Sequence, residues 1–79
     1  MSHTPHELIE EFPESQDKIH ALKQSDAHFA RLVEEYHEVN RSVHRAETLV
    51  EPTSDDNETA LRQTRARLKD EIWQRIQAA

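Results

Sequence analysis

The sequence predicts an all-α protein, an antiparallel helical hairpin with a short N-terminal helix and coiled-coil-like packing, forming one domain over residues 1–79. Three observations predict it. Glycine is absent, which argues against the tight hairpin turns that join the strands of a sheet. Apolar residues recur at steps of three and four along two long stretches, as they do on one face of a helix. A short polar connection containing Pro52 separates the two stretches, so the helices should pack antiparallel.

A short helix is expected near the N-terminus. Thr4 and Glu7 have the spacing of a capping box, and Pro5 suits the first turn of a helix. Pro13 should end this helix, because proline cannot donate the backbone hydrogen bond that a continuing helix needs. Its apolar face would consist of Leu8, Ile9 and Phe12.

A single long helix is predicted over about residues 14–50, because neither proline nor glycine interrupts the pattern after its start. At a rise of about 1.5 Å per residue it would measure roughly 55 Å. Ile19, Leu22 and Val33 extend and widen its apolar face. The seven residues at alternating steps of three and four are Phe29, Leu32, Tyr36, Val39, Val43, Ala46 and Val50.

The second helix of the hairpin is predicted over about residues 56–77, with Ser54 or Asp55 as its N-terminal cap. Its length would be roughly 33 Å, so it should end opposite about residue 27. Trp73 lies on the flank of its apolar stripe. The stripe itself consists of Leu61, Leu68, Ile72 and Ile76.

The difference in length leaves Ile19 and Leu22 beyond the end of the second helix. Either the N-terminal helix, by folding back, or a second chain could cover these two side chains, and we expect both to contribute. Asp26 and Asn40 fall near the apolar face, and we expect them at its edge in contact with water. Asn40 is also near the expected level of Arg65, so a hydrogen bond between the two helices is open to it.

Composition excludes several classes of site. Without cysteine there is no disulfide and no thiolate metal site, and without glycine there is no phosphate-binding loop. A net charge of −6 opposes binding to nucleic acid or to an anionic membrane. No stretch has the length of a membrane span, and the N-terminus lacks the pattern of a secretory signal. We expect a cytoplasmic protein that is not an enzyme and carries no cofactor.

The six histidines raise the question of a metal site. No two of them in the long helix are three or four residues apart, which is the spacing that a helical metal pair needs, so we expect no bound metal. Glu34 and His37 do have a spacing found in metal-binding bundles, and His44 shares a flank with His37. A metal- or pH-responsive binding protein that uses these three residues is therefore the alternative function.

Several segments resemble the YdcH-like family of small bacterial proteins. They cover most of the chain in order, and they are residues 11–14, 20–32, 34–38, 43–47 and 68–72. The resemblance implies a helical hairpin or coiled-coil fold in an uncharacterised cytosolic protein. It implies no catalytic or ligand-binding residue, because the family is one of unknown function.

The leading expectation is a non-catalytic protein-interaction or regulatory module that acts through an exposed apolar helix face. We expect self-association as a homodimer or larger oligomer, an unidentified protein partner, or both. Asp26 would help to select the partner through its charge. The residues expected to form the contact are Ile19, Leu22, Asp26, Phe29 and Trp73.

Overall fold

The computed structural model describes residues 6–48 and 54–79, and none of these residues lies in a strand. The order of elements is α1 (Leu8–Glu11), a 3-10 turn (Pro13–Ser15), α2 (Gln16–Ser25), α3 (Ala27–Glu47) and α4 (Asp55–Ala78). α3 and α4 pack against each other and form the hairpin. The predicted all-α helical hairpin with a short N-terminal helix is confirmed.

Side-chain contacts show that the two helices of the hairpin are antiparallel. The contacts advance along α4 as they recede along α3: Arg62 contacts Glu47, Arg65 contacts Asn40, and Arg75 contacts Asp26. None of the helices in the described part of the chain is both long and apolar enough to span a bilayer.

The prediction of one continuous helix over residues 14–50 is wrong, because the chain breaks at Asp26. This residue is extended, with φ −133° and ψ 102°, between the end of α2 and the start of α3. Its carboxylate accepts hydrogen bonds from the backbone N–H groups of His28, at 3.0 Å, and Phe29, at 3.2 Å. Aspartate suits a helix cap better than a helix interior, because its side chain bonds nearby backbone groups. Asp26 therefore begins a new helix.

Of the other predicted boundaries, two agree with the structure, and the start of the N-terminal helix does not. His6 has a positive φ of 62°, and Glu7, expected inside the first turn, is instead the extended residue that precedes α1, so this helix begins at Leu8. α1 ends before Pro13, and Ser54 caps α4 by accepting a hydrogen bond from the backbone N–H of Asn57 at 3.1 Å. The proposed capping residue Thr4 lies outside the described residues. So do residues 49–53, which include Val50 and the connecting proline.

The core lies between α3, α4 and the residues that precede them. Tyr36 is fully buried in it, and Trp73 lies on its edge, as the flanking position in the stripe predicts. The buried cluster consists of Leu8, Ile19, Phe29, Leu32, Val33, Tyr36, Leu68, Ile72 and Ile76.

Asn40 is buried rather than at a wet edge, so that expectation is wrong. None of its surface is exposed, and Arg65 Nη1 donates a hydrogen bond to its Oδ1 at 3.1 Å. A buried amide is tolerated when its polar atoms are bonded, because a lost partner costs the full desolvation of the group. The hydrogen bond to Arg65 that the sequence left open is present, and it joins α3 to α4.

Residues 6–25, here called the N-terminal segment, fold back over the hairpin. Leu8 and Ile19 join the buried cluster, while Phe12 and Leu22 pack against it half-buried. The apolar ridge expected to be uncovered is therefore largely covered within one chain. The break at Asp26 is the reason, since its extended backbone interrupts the helix and allows Leu8 and Ile19 to reach the hairpin.

Candidate interaction surface

The structure separates the five predicted contact residues into core and surface. Phe29 is fully buried and Ile19 is 8% exposed, so neither forms an exposed face in the single chain. Leu22 and Asp26 are half-buried. Trp73 is 42% exposed, and it is the large apolar side chain of the five that remains accessible.

Trp73 lies flat on Phe12 of the N-terminal segment. The ring centroids are 5.2 Å apart and the planes differ by 7°. Helix geometry accounts for the exposure of the indole: Ile72, one position earlier in α4, is fully buried, and each residue turns the helix by about 100°. A shallow cleft runs along the stack, and it is lined by Glu11, Phe12, Pro13, Glu14, Ser15 and Trp73.

A second shallow cleft lies between α1 and α2. Ile9, which is 57% exposed, is the most accessible large apolar side chain among the described residues. The cleft is lined by Leu8, Ile9, Gln16, Ile19, His20 and Lys23. The N-terminal segment thus carries exposed apolar surface of its own while it covers the hairpin.

Polar contacts fasten the start of the N-terminal segment to α3. The Tyr36 hydroxyl donates a hydrogen bond to the backbone carbonyl of His6. His37 Nδ1 lies 2.8 Å from Glu7 Oε2. Because these two contacts come from adjacent residues of α3, they hold residues 6 and 7 at one place on the hairpin.

Two further ion pairs connect the N-terminal segment and Asp26 to α4. Lys69 Nζ lies 3.3 Å from Glu11 Oε1, which also contacts His6 Nδ1 at 3.0 Å. Arg75 Nη1 lies 3.3 Å from Asp26 Oδ2. In these two pairs the acidic side chains are Glu11 of the segment and Asp26, and the basic side chains are Lys69 and Arg75 of α4.

The electrostatic surroundings shift the pKa of two groups at this contact. Burial raises the pKa of the Glu11 carboxyl, but the hydrogen bonds and charges of His6 and Lys69 outweigh it, so the pKa lies below its ordinary value of 4.5. Burial raises the pKa of Tyr36 to about 12, and the carboxylates of Glu11 and Glu7 act in the same direction. The charge of Arg65 opposes this rise but is outweighed.

The residues of the alternative function are not assembled into a metal site. Across residues 6–48 and 54–79, no group of three or more histidine, aspartate or glutamate side chains is placed to hold a metal ion. His37 contacts Glu7, Glu34 is exposed, and His44 is half-buried.

Sequence reasoning missed the contacts that attach the N-terminal segment. Phe12 with Trp73, Glu7 with His37, and Glu11 with Lys69 all depend on the turn at Asp26. One signal could have indicated that turn, since aspartate is among the preferred residues at a helix start.

A comparison with known families finds one match. The family model described as "Protein of unknown function (DUF465)" matches residues 29–76, which is more than half of the chain. The matched region begins two residues after the start of α3 and ends in the last turn of α4, so it is the hairpin without the N-terminal segment. No curated protein and no solved structure matches the chain.

Proposed function

Because the chain belongs to DUF465, a family of proteins of unknown function, we propose a function from its own surface. The chain acts as a non-catalytic protein-interaction or regulatory module, and its contact surface is centred on Trp73. The observation that carries this proposal is the exposed indole, 42% accessible and stacked on Phe12.

The stack supports binding for two physical reasons. Tryptophan is enriched among residues that dominate the free energy of protein interfaces, because it buries a large apolar area and offers one N–H donor. Phe12 holds one face of the ring, so less side-chain entropy remains to be lost on binding. The preferred partner presents an apolar pocket for the indole and basic groups for the acidic lining, which includes Glu14.

The non-catalytic part of the proposal rests on the form of the clefts. Acid–base and nucleophilic catalysis need a site that excludes water and holds several groups around a substrate. Both clefts are shallow and lie on the surface, so neither encloses a substrate away from water. We place the module in the cytoplasm, with its composition and its net charge of −6 as support.

Site-specific photocrosslinking tests the surface directly. A photoreactive phenylalanine analogue at position 73 keeps an aromatic ring on Phe12, and the same analogue at Gln74 is the matched control. Gln74 is also exposed but points about 100° away around α4. Discrete protein adducts from position 73 and not from position 74, in a lysate of the source cells, support the proposal. Identical adducts from both positions, or none from position 73, contradict it.

A second candidate function is the metal- or pH-responsive binding protein. The observation that favours its pH form is the contact of His37 with Glu7, because a protonated imidazole would hold this carboxylate more strongly than a neutral one. Trp73 fluorescence followed between about pH 7 and 5.5 should then differ between the wild type and His37→Gln. Superimposable profiles count against it.

Equilibrium dialysis with zinc tests the metal form of this second candidate. Stoichiometric uptake that is lost on replacing His37 or His44 would support it. Absence of uptake by the wild-type chain rejects it.

A further inference from the structure

The junction between α2 and α3 is a single residue. Ser25 ends one helix, Ala27 begins the next, and Asp26 alone is extended between them. Neither proline nor glycine stands at the junction, and aspartate is tolerated inside a helix at a modest cost. A rotation about the backbone of this one residue would join α2 and α3 into one helix over residues 16–47.

Such a joined helix is too long for the closed molecule. At about 1.5 Å per residue it would measure roughly 48 Å. The longest dimension of the folded chain is 38 Å. When α2 continues α3 in a straight line, the N-terminal segment therefore leaves its own hairpin and uncovers buried residues such as Phe29 and Val33.

We infer that two copies of this chain exchange their N-terminal segments, with Asp26 as the hinge. In the exchanged dimer, the segment of each copy lies on the hairpin of the other and makes the contacts that it makes within one chain. The arrangement is symmetric, because both copies use the same segment and the same hairpin surface. It goes beyond the surface centred on Trp73 and does not depend on it.

Charge indicates that a second copy is the occupant. The N-terminal segment carries five acidic and two basic side chains. On the hairpin, Lys69 contacts the carboxylate of Glu11 and His37 contacts that of Glu7. A hairpin surface with these groups accepts an acidic amphipathic segment, and the matching segment is present on every copy of the chain.

The closed and exchanged forms differ in only a few contacts, so their free energies per chain should be similar. Opening loses the two hydrogen bonds that cap α3 at Asp26 and its ion pair with Arg75. It gains the backbone hydrogen bonds of a continuous helix across the junction. All contacts of residues 6–25 with the hairpin re-form between the chains, so chain concentration decides which form is populated.

Two substitutions at the junction should move the equilibrium in opposite directions. Asp26→Ala removes the cap and favours the joined helix, so the dimer fraction in sedimentation equilibrium should rise several-fold. Ala27→Pro occupies the first position of α3, where proline fits, and it disfavours a helical Asp26, so the chain should remain monomeric. A monomeric Asp26→Ala variant at its highest soluble concentration would overturn the exchange. So would an Ala27→Pro variant whose dimer fraction equals that of Asp26→Ala.

Charge reversal distinguishes exchange from any other dimer. Glu11→Lys and Lys69→Glu each place like charges together within their own chain. An exchanged heterodimer of the two variants restores both pairs, since each segment then meets a hairpin of opposite charge. Asp17→Lys mixed with Lys69→Glu is the matched control, because it has the same net charges but its heterodimer contains one opposite and one like-charged contact, which is the average of its two homodimers and gives no preference. Native mass spectrometry should show several-fold more heterodimer in the first mixture, and equal shares in both mixtures overturn the proposal.

Circular dichroism of each variant completes the experiment. A variant that has lost its helix content is replaced by the neutral change at the same position, Glu11→Gln or Lys69→Gln. Neutral changes remove the pair within each chain without adding repulsion, but the exchanged heterodimer brings the unchanged Glu11 of one chain to the unchanged Lys69 of the other, so a smaller heterodimer preference should remain. A mixture of the neutral variants that shows no more heterodimer than chance pairing gives would also overturn the exchange.

Discussion

The indole of Trp73 and the phenyl ring of Phe12 lie parallel, 5.2 Å apart between centroids, and join the C-terminal helix to the N-terminal segment. Because the chain has one tryptophan, the fluorescence of Trp73 reports directly on whether this segment is in place.

Phe12→Ala should loosen the N-terminal segment. The change removes the stacked pair, worth about 0.5–1.5 kcal/mol, and part of the apolar burial of a half-buried ring, for a total of about 2 kcal/mol. Urea unfolding followed by Trp73 fluorescence and by circular dichroism measures this loss. Ile9→Ala is the control, because that side chain is largely exposed and its loss should change stability little. Equal midpoints for the Phe12→Ala variant and the wild type would contradict the stack as a stabilising contact.

Asn40→Ala should destabilise the hairpin by about 1–3 kcal/mol, because it removes a buried hydrogen-bonding partner of Arg65. Chemical unfolding of both single variants and of the Asn40→Ala, Arg65→Ala double variant gives the coupling free energy. We expect at least about 0.5 kcal/mol, the lower range for residues in direct contact. Additive effects would show that the bond contributes nothing to stability.

The contribution of Glu11 to stability should disappear in acid. Its pKa is lower in the folded chain than the ordinary value of 4.5, so the contribution is present in full above that value. It is lost as the pH falls below about 4.5 and through the lower pKa of the folded chain. Urea midpoints measured from about pH 6 to 3 should fall more steeply for the wild type than for Glu11→Gln. Glu14→Gln, a change at an exposed residue of the same segment, is the control, and parallel curves for all three proteins would contradict the prediction.

Tyr36 should titrate late and weaken the fold in alkali. Its pKa is raised from 10.0 to about 12, so its contribution to stability is present below pH 10.0 and is lost as the pH rises through about 12. The chain has one tyrosine, so ultraviolet absorbance of the phenolate follows this group alone. A midpoint near 10 in the folded protein would contradict the prediction.

Tyr36→Phe separates the hydroxyl from the ring. The variant keeps the buried ring but loses the hydrogen bond to the carbonyl of His6, which should cost about 1 kcal/mol near neutral pH. The variant should also lack the fall in stability at alkaline pH that phenolate formation causes in the wild type. An alkaline decline identical to that of the wild type would show that other groups cause it.

The hairpin and its ends could be predicted from local patterns. The steps of three and four place Tyr36, Val43 and Ile72 on buried faces, and those residues are fully buried in the structure. Ser54 caps α4 as its residue type and position predict. Trp73 lies on the flank of the stripe and remains accessible. These features follow from the sequence because helix periodicity and capping act over a few neighbouring residues.

The candidate surface could be predicted only in part, because its contacts join residues that are far apart in the chain. Trp73 was identified as a contact residue, but its position against Phe12 depends on residues about sixty positions apart in the chain. Ile19 and Phe29 have the pattern of an exposed ridge if the helix is straight, and they are buried because the helix bends. Periodicity describes which residues share a face, and it does not describe what covers that face.

The sequence alone predicted two antiparallel amphipathic helices joined by a polar connection, and it predicted no sheet, in agreement with residues 6–48 and 54–79, none of which lies in a strand. Only the tertiary structure decided that Asp26 caps a helix instead of continuing one. The two choices differ by a few backbone hydrogen bonds, so local preferences nearly balance. Burial of Leu8, Phe12 and Ile19 against the hairpin favours Asp26 as a cap. This contribution to the free energy comes from residues far apart in the chain, so no window of neighbouring residues contains it.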